Sequence, residues 1–421
     1  MKNLLIIIVL LIPIISFTQD IKNIGVDLSG FSTDYHSLPF IDLDDQGDKH
    51  IVVDKEEGVY LGHPTTHLLD DGKTIIAVYP KGHGRGGIVL KKSTDGGLTW
   101  GDRLPTPTSW ESSLEVPTLF PVEDAAGQKK LIMFSGLYPA RMAVADEYGK
   151  NWSELEIIGD WGGIVVMGDV VPLRTGKGHY MAMFHDDGRF ITKDGRSIEE
   201  KARTENNQSR FILYKTFSYD GGMSWTYPQE VFDARIIHLC EPGIIRSPDG
   251  KQIAVLLREN SRRMNSHIIF SNDEGKTWTT PRPLPNALTG DRHQAIYLPD
   301  GRLFISFRDL TPGLSRYRSL KRVCQDCDDT ILKAQAGPVS PSAGDWVGWV
   351  GKYADLVEGK EGQYRVRLKD NTRGSDCAYP ALELLPDGTV VATTYGHWDE
   401  GEQPYILSVR FKMEEIEEMA R

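Results

Sequence analysis

Six short segments of the sequence begin with, or lie beside, side chains that are able to do acid–base or ionic chemistry. Between them they supply a tyrosine, carboxylates, histidines and arginines. An imidazole titrates near neutral pH, whereas a phenol ionises near pH 10 and needs a neighbouring base before it can attack a substrate. A planar guanidinium is suited to forked contacts with a carboxylate. The segments begin at His63-Pro-Thr-Thr, Glu115-Val-Pro-Thr, Met167-Gly-Asp-Val, Glu241-Pro-Gly-Ile, Arg292-His-Gln-Ala and Tyr379-Pro-Ala-Leu.

The four cysteines do not form a metal-binding pattern. Cys324 and Cys327 stand in a Cys-Gln-Asp-Cys sequence, while Cys240 and Cys377 are isolated. A zinc site would need a second such pair, or histidines at ligand spacing, and the sequence has neither. We therefore expect no metal and no other cofactor. Cys324 and Cys327 are interpreted either as a local disulfide in an oxidising compartment or as two free thiols.

Each of the six segments continues as a strand, a tight turn and a second apolar strand. Turns such as Pro248-Asp-Gly, Pro299-Asp-Gly and Pro386-Asp-Gly are hairpin signals. Second strands such as those of residues 253–257 and 303–307 are nearly continuous apolar runs. This pattern is typical of strands that are buried between neighbouring sheets.

An eight-residue turn motif is interleaved with these hairpins. Its serine and aspartate can bond the turn backbone, its glycine accepts a positive φ, and its tryptophan fills the apolar space beside the turn. Six hairpins interleaved with such turns predict an all-β fold, a six-bladed β-propeller with four strands in each blade. The motif reads Ser-x-Asp-x-Gly-x-Thr/Ser-Trp at residues 93–100, 218–225 and 271–278, with a degenerate copy at residues 145–152.

The two ends of the chain are expected to share the last blade. Residues 405–411 would supply a late strand, and residues 50–54 would complete the same sheet and close the ring. No linker interrupts the repeat, so residues 21–421 are interpreted as a single domain. Residues 413–421 are predicted to form a short acidic surface helix.

The N-terminus indicates where the protein is located, and the net charge limits the kinds of partner that it could bind. In residues 1–20 a lysine precedes an apolar run that is too short for a membrane span of roughly 20 residues, a pattern typical of a secretory signal peptide. We therefore expect a secreted or periplasmic protein with no membrane span after removal of the signal. The net charge of −11 argues against nucleic acid as a partner, because phosphate binding needs a basic face.

With these turns and hairpins the sequence resembles the sialidase superfamily, in which the turn motif is called the Asp box or BNR repeat. The resemblance extends over nearly all of the chain after residue 20. Asp boxes also occur in propellers that are not sialidases, so they specify the fold better than the activity. Sialidases of this kind use a tyrosine nucleophile with a glutamate base, an acid/base aspartate and three arginines that bind the sugar carboxylate, unlike the usual two-carboxylate glycosidases.

The resemblance implies roles for four residues. Tyr379, in Asp-Cys-Ala-Tyr-Pro, matches the nucleophile, and Glu241, in Cys-Glu-Pro-Gly, matches its base. Arg258, in Leu-Leu-Arg-Glu-Asn, matches the second arginine, and Arg308, in Ser-Phe-Arg-Asp-Leu, the third. These matches imply an exo-acting glycoside hydrolase that releases a terminal acidic sugar, sialic acid or a related 2-keto sugar acid, from a glycan.

The first blade departs from the family pattern. The segment Leu61-Gly-His-Pro lacks the arginine that precedes proline in the family, and the loop of residues 81–87 lacks the acid/base aspartate. Arg292, at the start of the fifth segment, is a further candidate for substrate binding. The candidates to compensate for the losses are His63 and His83 for proton transfer, Asp186 as another acid or substrate contact, and Arg85 or Lys81 for the missing positive charge.

Two other functions fit the sequence. A glycosidase or lyase on another acidic polysaccharide would use His63 and His83, and would depend on His83 more than on Tyr379. A non-catalytic carbohydrate-binding propeller would explain the missing arginine and aspartate, but Tyr379 and Glu241 argue against it. The arginines at positions 258 and 308 could also be structural, as ion pairs with nearby carboxylates such as those of Glu259 and Asp309.

Overall fold

The computed structural model describes residues 28–32, 34–191, 211–233 and 237–419. The segment interpreted as a signal peptide lies outside these residues. Within them, no helix combines the length and the apolar character that a membrane crossing requires.

Six β-sheets follow one another along the chain, and the predicted six-bladed all-β propeller is confirmed. Two short strands, β1 (Phe40–Asp42) and β2 (His50–Asp54), precede the first blade. The first three blades are formed by β3 (Thr65–Leu68), β4 (Ile75–Pro80) and β5 (Ile88–Ser93); by β6 (Thr118–Glu123), β7 (Lys129–Ser135), β8 (Arg141–Asp146) and β9 (Glu156–Ile157); and by β10 (Ile164–Pro172), β11 (Tyr180–Asp186), β12 (Ile212–Ser218) and β13 (Gln229–Asp233).

Of the four described α-helices, three lie in connections of the fifth blade and one follows the last strand of the sixth. The strands of the other three blades are β14 (Leu239–Arg246), β15 (Ile253–Glu259), β16 (His267–Ser271) and β17 (Arg282–Pro283); β18 (Gly290–Tyr297), β19 (Leu303–Asp309), β20 (Trp346–Gly351) and β21 (Tyr364–Lys369); and β22 (Ala381–Leu384), β23 (Val390–Gly396) and β24 (Tyr405–Phe411). The helices are α1 (Pro312–Val323), α2 (Asp329–Ala336), α3 (Tyr353–Glu358) and α4 (Met413–Met419).

Two blades differ from the four strands that the repeat predicts. The first has three strands, followed by a single bridge between Leu90 and Leu104. The fifth has five, because β1 pairs in parallel with β21 at its edge. The predicted closure is confirmed, since β2 pairs with β24 as the outermost strand of the sixth blade. Helices α1 and α2 form an insertion between two strands of the fifth blade, and a Cys324–Cys327 disulfide closes the connection between them.

The Asp boxes act as turn braces. In one copy the Ser218 hydroxyl donates to Asp220 Oδ1 at 2.8 Å and accepts the N–H of Gly222 at 2.9 Å. Asp220 also accepts the N–H and the hydroxyl of Ser224. Because Gly222 has a φ of 84°, a residue with a side chain would be strained there. These turns hold strands in place and do not contribute to the site described below.

Several blades share a backbone kink where their innermost strand begins. His63, Glu241 and Arg292 have left-handed φ values of 56°, 49° and 55°, and Ala378 directly before Tyr379 has 53°. The pairing of β14 with β15 and of β18 with β19 shifts register at this point. A non-glycine residue with positive φ is uncommon, and such residues cluster at functional sites. The kinks therefore lie at the same strand ends where the sequence places side chains that are able to do acid–base or ionic chemistry.

Candidate active site

Tyr379 and Glu241 meet, although 138 residues separate them in the chain. Tyr379 precedes β22 in the sixth blade and Glu241 lies in β14 of the fourth. The Tyr379 hydroxyl donates a hydrogen bond to Glu241 Oε1. Glu241 is buried, and Tyr379 is half-buried. The pairing needed for a tyrosine nucleophile with a carboxylate base is therefore formed.

The surroundings keep Glu241 charged and Tyr379 protonated. Burial alone would raise the pKa of Glu241, but the Arg258 guanidinium lowers it, and the net pKa lies below the usual value for a glutamate. Burial and the Glu241 charge raise the pKa of Tyr379 well above 10, against the opposing effect of Arg258 and Arg308. A charged carboxylate thus accepts a hydrogen bond from a protonated phenol. This is the resting state required of a base and its nucleophile.

Three arginines surround one internal carboxylate, Asp291 of β18. Arg258 and Arg262 approach its Oδ1 at 3.3 and 2.7 Å, and Arg308 donates to its Oδ2 at 2.6 and 3.0 Å. Arg258 also donates to Glu241 Oε1 at 2.5 Å. These cations favour the charged carboxylate and lower the pKa of Asp291 despite its burial.

The partners of Arg258 and Arg308 differ from the nearest carboxylates in the sequence. Asp309 instead forms a buried ion pair with Arg365 at 2.7 Å. Glu259 accepts the N–H groups of nearby loop residues. Asp291 pairs across from Arg308 on the adjacent strand, a relation that depends on strand register and is not visible in local sequence.

Arg292 lies beside this cluster but is not part of it. It is 3% exposed, and within the described residues its Nη1 atom has no hydrogen-bond partner. Its Cζ atom is 5.8 Å from the centre of the Tyr379 ring. Arg292 and Tyr379 also line an axial cavity of about 190 Å³, together with Thr66, Asp169 and Glu383. A guanidinium whose Nη1 atom lacks a partner in the described part of the chain is thus held beside the Tyr379 ring.

The two histidines predicted as proton carriers lie in one row with Tyr379. The ring centres of Tyr379 and His63 are 4.4 Å apart, and those of His63 and His83 are 4.7 Å apart. His63 is 2% exposed, and burial lowers its pKa well below 6.5. The His83 side chain is 66% exposed, although desolvation still lowers its pKa. His83 is therefore the more accessible of the two.

Asp376, which the sequence does not single out, anchors this row. Its Oδ1 accepts hydrogen bonds from Tyr60 at 3.0 Å and Tyr395 at 3.2 Å and lies 3.5 Å from His83 Nδ1. Its Oδ2 lies 3.4 Å from His397 Nε2. Burial opposes its charge, but His397 and the other histidines lower its pKa. The Asp-Cys-Ala-Tyr sequence, in which Asp376 stands three residues before Tyr379, was a signal that could have identified this residue.

The other candidates lie around this cluster rather than within it. Asp186 is fully buried and accepts the N–H groups of Gly188 and Phe190, so its contacts are with its own loop. Lys81 forms an ion pair with Glu56 at 3.0 Å. Arg85 is exposed on the same loop, where its charge acts on Glu115 and His83.

Known proteins resemble this chain in repeat and in fold. A family model described as "BNR repeat-like domain" matches residues 134–318. A protein of unknown function from Dyadobacter fermentans has a TM-score of 0.61 and 14% identity, over 86% of this chain and 97% of that one. A mutant of the NanB sialidase from Streptococcus pneumoniae has a TM-score of 0.55 and 11% identity, over 88% and 73%. The chain is a sialidase-like BNR-repeat propeller.

A third solved structure extends the same likeness. The intramolecular trans-sialidase from Ruminococcus gnavus, in complex with oseltamivir carboxylate, has a TM-score of 0.52 and 14% identity, over 85% of this chain and 95% of that one. No curated protein matches the chain in sequence. At these identities the solved structures show the fold of the sialidase-like propeller, and its chemistry has to be argued from its own side chains.

Proposed function

We propose that this sialidase-like propeller is an exo-acting glycoside hydrolase that releases a terminal acidic sugar, sialic acid or a related 2-keto sugar acid, from secreted or dietary glycans. The observation that carries the proposal is the hydrogen bond from Tyr379 to Glu241. The guanidinium groups of Arg258 and Arg308 lie beside this pair. A carboxylate on the sugar would be attracted to this concentration of positive charge.

In the proposed reaction the Tyr379 oxygen attacks the anomeric carbon while Glu241 takes the phenol proton. The bond from the anomeric carbon to the leaving oxygen breaks, and that oxygen receives a proton from a general acid. Water then attacks the anomeric carbon of the tyrosyl glycoside, Glu241 returns its proton to Tyr379, and the general acid recovers its proton from the water. Two displacements at one carbon give net retention of configuration.

The test is hydrolysis of a panel of α-linked sialosides and other ulosonyl and uronyl glycosides, with the wild type and Tyr379→Phe. We expect release of an acidic sugar by the wild type and a loss of at least about 10³-fold in Tyr379→Phe, because phenylalanine has no nucleophile. Tyr219→Phe, at an exposed tyrosine, is the matched control. Unchanged release by Tyr379→Phe, or calorimetric binding of an intact glycan without any product, would contradict the proposal.

A second candidate is a glycosidase or lyase that acts on another acidic polysaccharide through His83. It is favoured by the contacts of that side chain, whose Nδ1 lies 2.6 Å from the Tyr60 hydroxyl and 3.5 Å from Asp376. A histidine oriented in this way through one nitrogen can transfer protons through the other. This function predicts that His83→Ala abolishes turnover while Tyr379→Phe is mild, which is the opposite of the first proposal.

A further inference from the structure

The proposed hydrolysis needs a proton donor for the leaving oxygen, and the Tyr379–Glu241 pair does not provide one. Glu241 is already charged in the resting state, so it can accept a proton but not give one. The loop of residues 81–87, between β4 and β5, contains no carboxylate. A carboxylic acid that acts as the general acid must therefore come from another part of this face.

Glu115 places a carboxyl group against this loop from the second blade. It lies just before β6, and its Oε1 accepts the N–H of Val116 at 3.0 Å. A side chain built on Gly84 of the loop would come within 3.2 Å of the same oxygen. The Glu115 carboxyl thus lies directly against Gly84 of this loop, where a side chain would crowd it. Glu115 is only partly exposed, and its other oxygen is not bonded in the described part of the chain.

The charges around Glu115 favour a proton on it. Burial raises its pKa to about 7, and the Glu241 carboxylate acts in the same direction, against the N–H of Val116 and the cations Arg85 and Arg189. The pKa of Glu241 is shifted in the opposite direction by Arg258. Two carboxyl groups whose surroundings separate their pKa values in this way are suited to the roles of acid and base.

We propose that Glu115 is the general acid/base of this site, a role that rests on the proposed function above. As Tyr379 attacks, the Glu115 carboxyl donates its proton to the glycosidic oxygen, so that the leaving group departs as a neutral alcohol. In the second step the Glu115 carboxylate takes a proton from the water that attacks the tyrosyl glycoside. The carboxyl group missing from the first-blade loop is thereby supplied by the neighbouring blade.

His83 is the competing proton donor on this face. Desolvation and the positive charges of Arg308 and Arg85 lower its pKa, against the effect of Asp376, so its imidazole is mainly uncharged at neutral pH. Its Nδ1 is also engaged by Tyr60. An uncharged imidazole can accept a proton but is a poor donor to a leaving group. Removal of the Glu115 side chain and removal of the His83 side chain are therefore expected to affect turnover differently.

The test compares two substrates that carry the same acidic sugar, one with a 4-nitrophenyl leaving group and one with an alkyl leaving group. For Glu115→Gln we expect kcat/KM on the alkyl glycoside to fall by about 10² to 10⁴ and on the aryl glycoside by less than about tenfold, because nitrophenolate leaves without a proton. Sodium azide should accelerate aryl turnover by the variant and yield a glycosyl azide, because azide needs no base. In Glu115→Gln, the alkaline limb that the wild type shows in its pH profile of kcat/KM should also disappear.

Glu111→Gln, at an exposed glutamate close by in the chain, is the control and should behave as the wild type. Circular dichroism and the variant Glu115→Asp, which keeps the carboxyl group, show whether a loss reflects folding. Equal losses on both glycosides, or the leaving-group signature in His83→Ala instead, would overturn the assignment while leaving Tyr379 as nucleophile intact. A wild type that hydrolyses no acidic glycoside overturns both proposals.

Discussion

At the scale of single residues, the arginine cluster is already partly neutralised before any ligand binds. Asp291 holds Arg258, Arg262 and Arg308, and Glu241 holds Arg258 a second time. Three cations and two anions leave the cluster with one positive charge, and Arg292 adds another. The carboxylate of an acidic sugar would therefore compete with Asp291 for the same guanidinium groups. This competition favours ligands with a compact, fully charged carboxylate.

Arg292 is expected to contribute to catalysis at a cost in stability. A buried guanidinium without a partner is unfavourable for folding, whereas next to Tyr379 it would stabilise the phenolate that forms in the proposed attack. We predict that Arg292→Met lowers kcat by at least about tenfold and raises the melting temperature, because the unpaired charge is removed. Steady-state kinetics and differential scanning calorimetry measure the two effects on the same sample.

The control for this prediction is Arg246→Met, because Arg246 is paired. Its guanidinium donates to Glu274 at 2.8 and 2.9 Å on the far side of the fourth blade. This substitution should lower the melting temperature and leave kcat unchanged. A fall in stability of Arg292→Met comparable to that of Arg246→Met would mean that Arg292 has a partner and would refute the prediction.

At the scale of elements, the Asp boxes make the stability of the blades depend on pH in the acid range. Despite partial desolvation, hydrogen bonds from Thr277 and Ser271 lower the pKa of Asp273 to about 2 in the folded protein, below its ordinary value of 3.8. A lowered folded pKa stabilises the protein above pH 3.8, and this contribution is lost as the pH falls towards 2. We predict that Asp273→Asn lowers the melting temperature at pH 6 and that the difference from wild type vanishes near pH 2.

Thermal unfolding followed by circular dichroism between pH 6 and pH 2 checks this prediction. Asp102→Asn, which removes an exposed charge outside the boxes, should track the wild type at every pH. If the difference in melting temperature between Asp273→Asn and the wild type stays constant down to pH 2, the box aspartate acts through its shape and not through its charge.

The elements could be predicted from the sequence because each rests on a local pattern. The Asp boxes, the hairpins and the strand at residues 50–54 depend on neighbouring residues and on a regular spacing. The parallel pairing of β1 with β21 could not be predicted, because it depends on where the chain passes an open sheet edge. Tyr379 and Glu241 were accessible through resemblance, and Asp376 through its place three residues before Tyr379. The ion pairs of Asp291 and the role proposed for Glu115 depend instead on the blades that face them.

At the scale of the whole molecule, one carboxylate joins the last blade to the first. Asp54 ends β2, the strand that closes the ring, and is 9% exposed. It accepts hydrogen bonds from Tyr79 at 2.5 Å and Arg103 at 2.7 Å, and lies 3.6 Å from Lys91, all three from the first blade. Ring closure thus depends on polar contacts between blades as well as on the strand pairing of β2 with β24.

The closing contact should stabilise the ring without being required for its cooperative unfolding, because the pairing of β2 with β24 remains when Asp54 is removed. We predict that Asp54→Ala destabilises the protein by about 2 to 4 kcal/mol, because it leaves the buried Lys91, the half-buried Arg103 and a buried phenol without their shared acceptor, while Glu56 still holds Arg103. Guanidinium denaturation followed by both fluorescence and circular dichroism should show one transition, at a lower midpoint than the wild type. Asp48→Ala, at an exposed residue before β2, is the control and should shift the midpoint little. Two separate transitions in Asp54→Ala would mean that the first and last blades unfold independently once this contact is lost, and that pairing of β2 with β24 alone does not make the propeller cooperative.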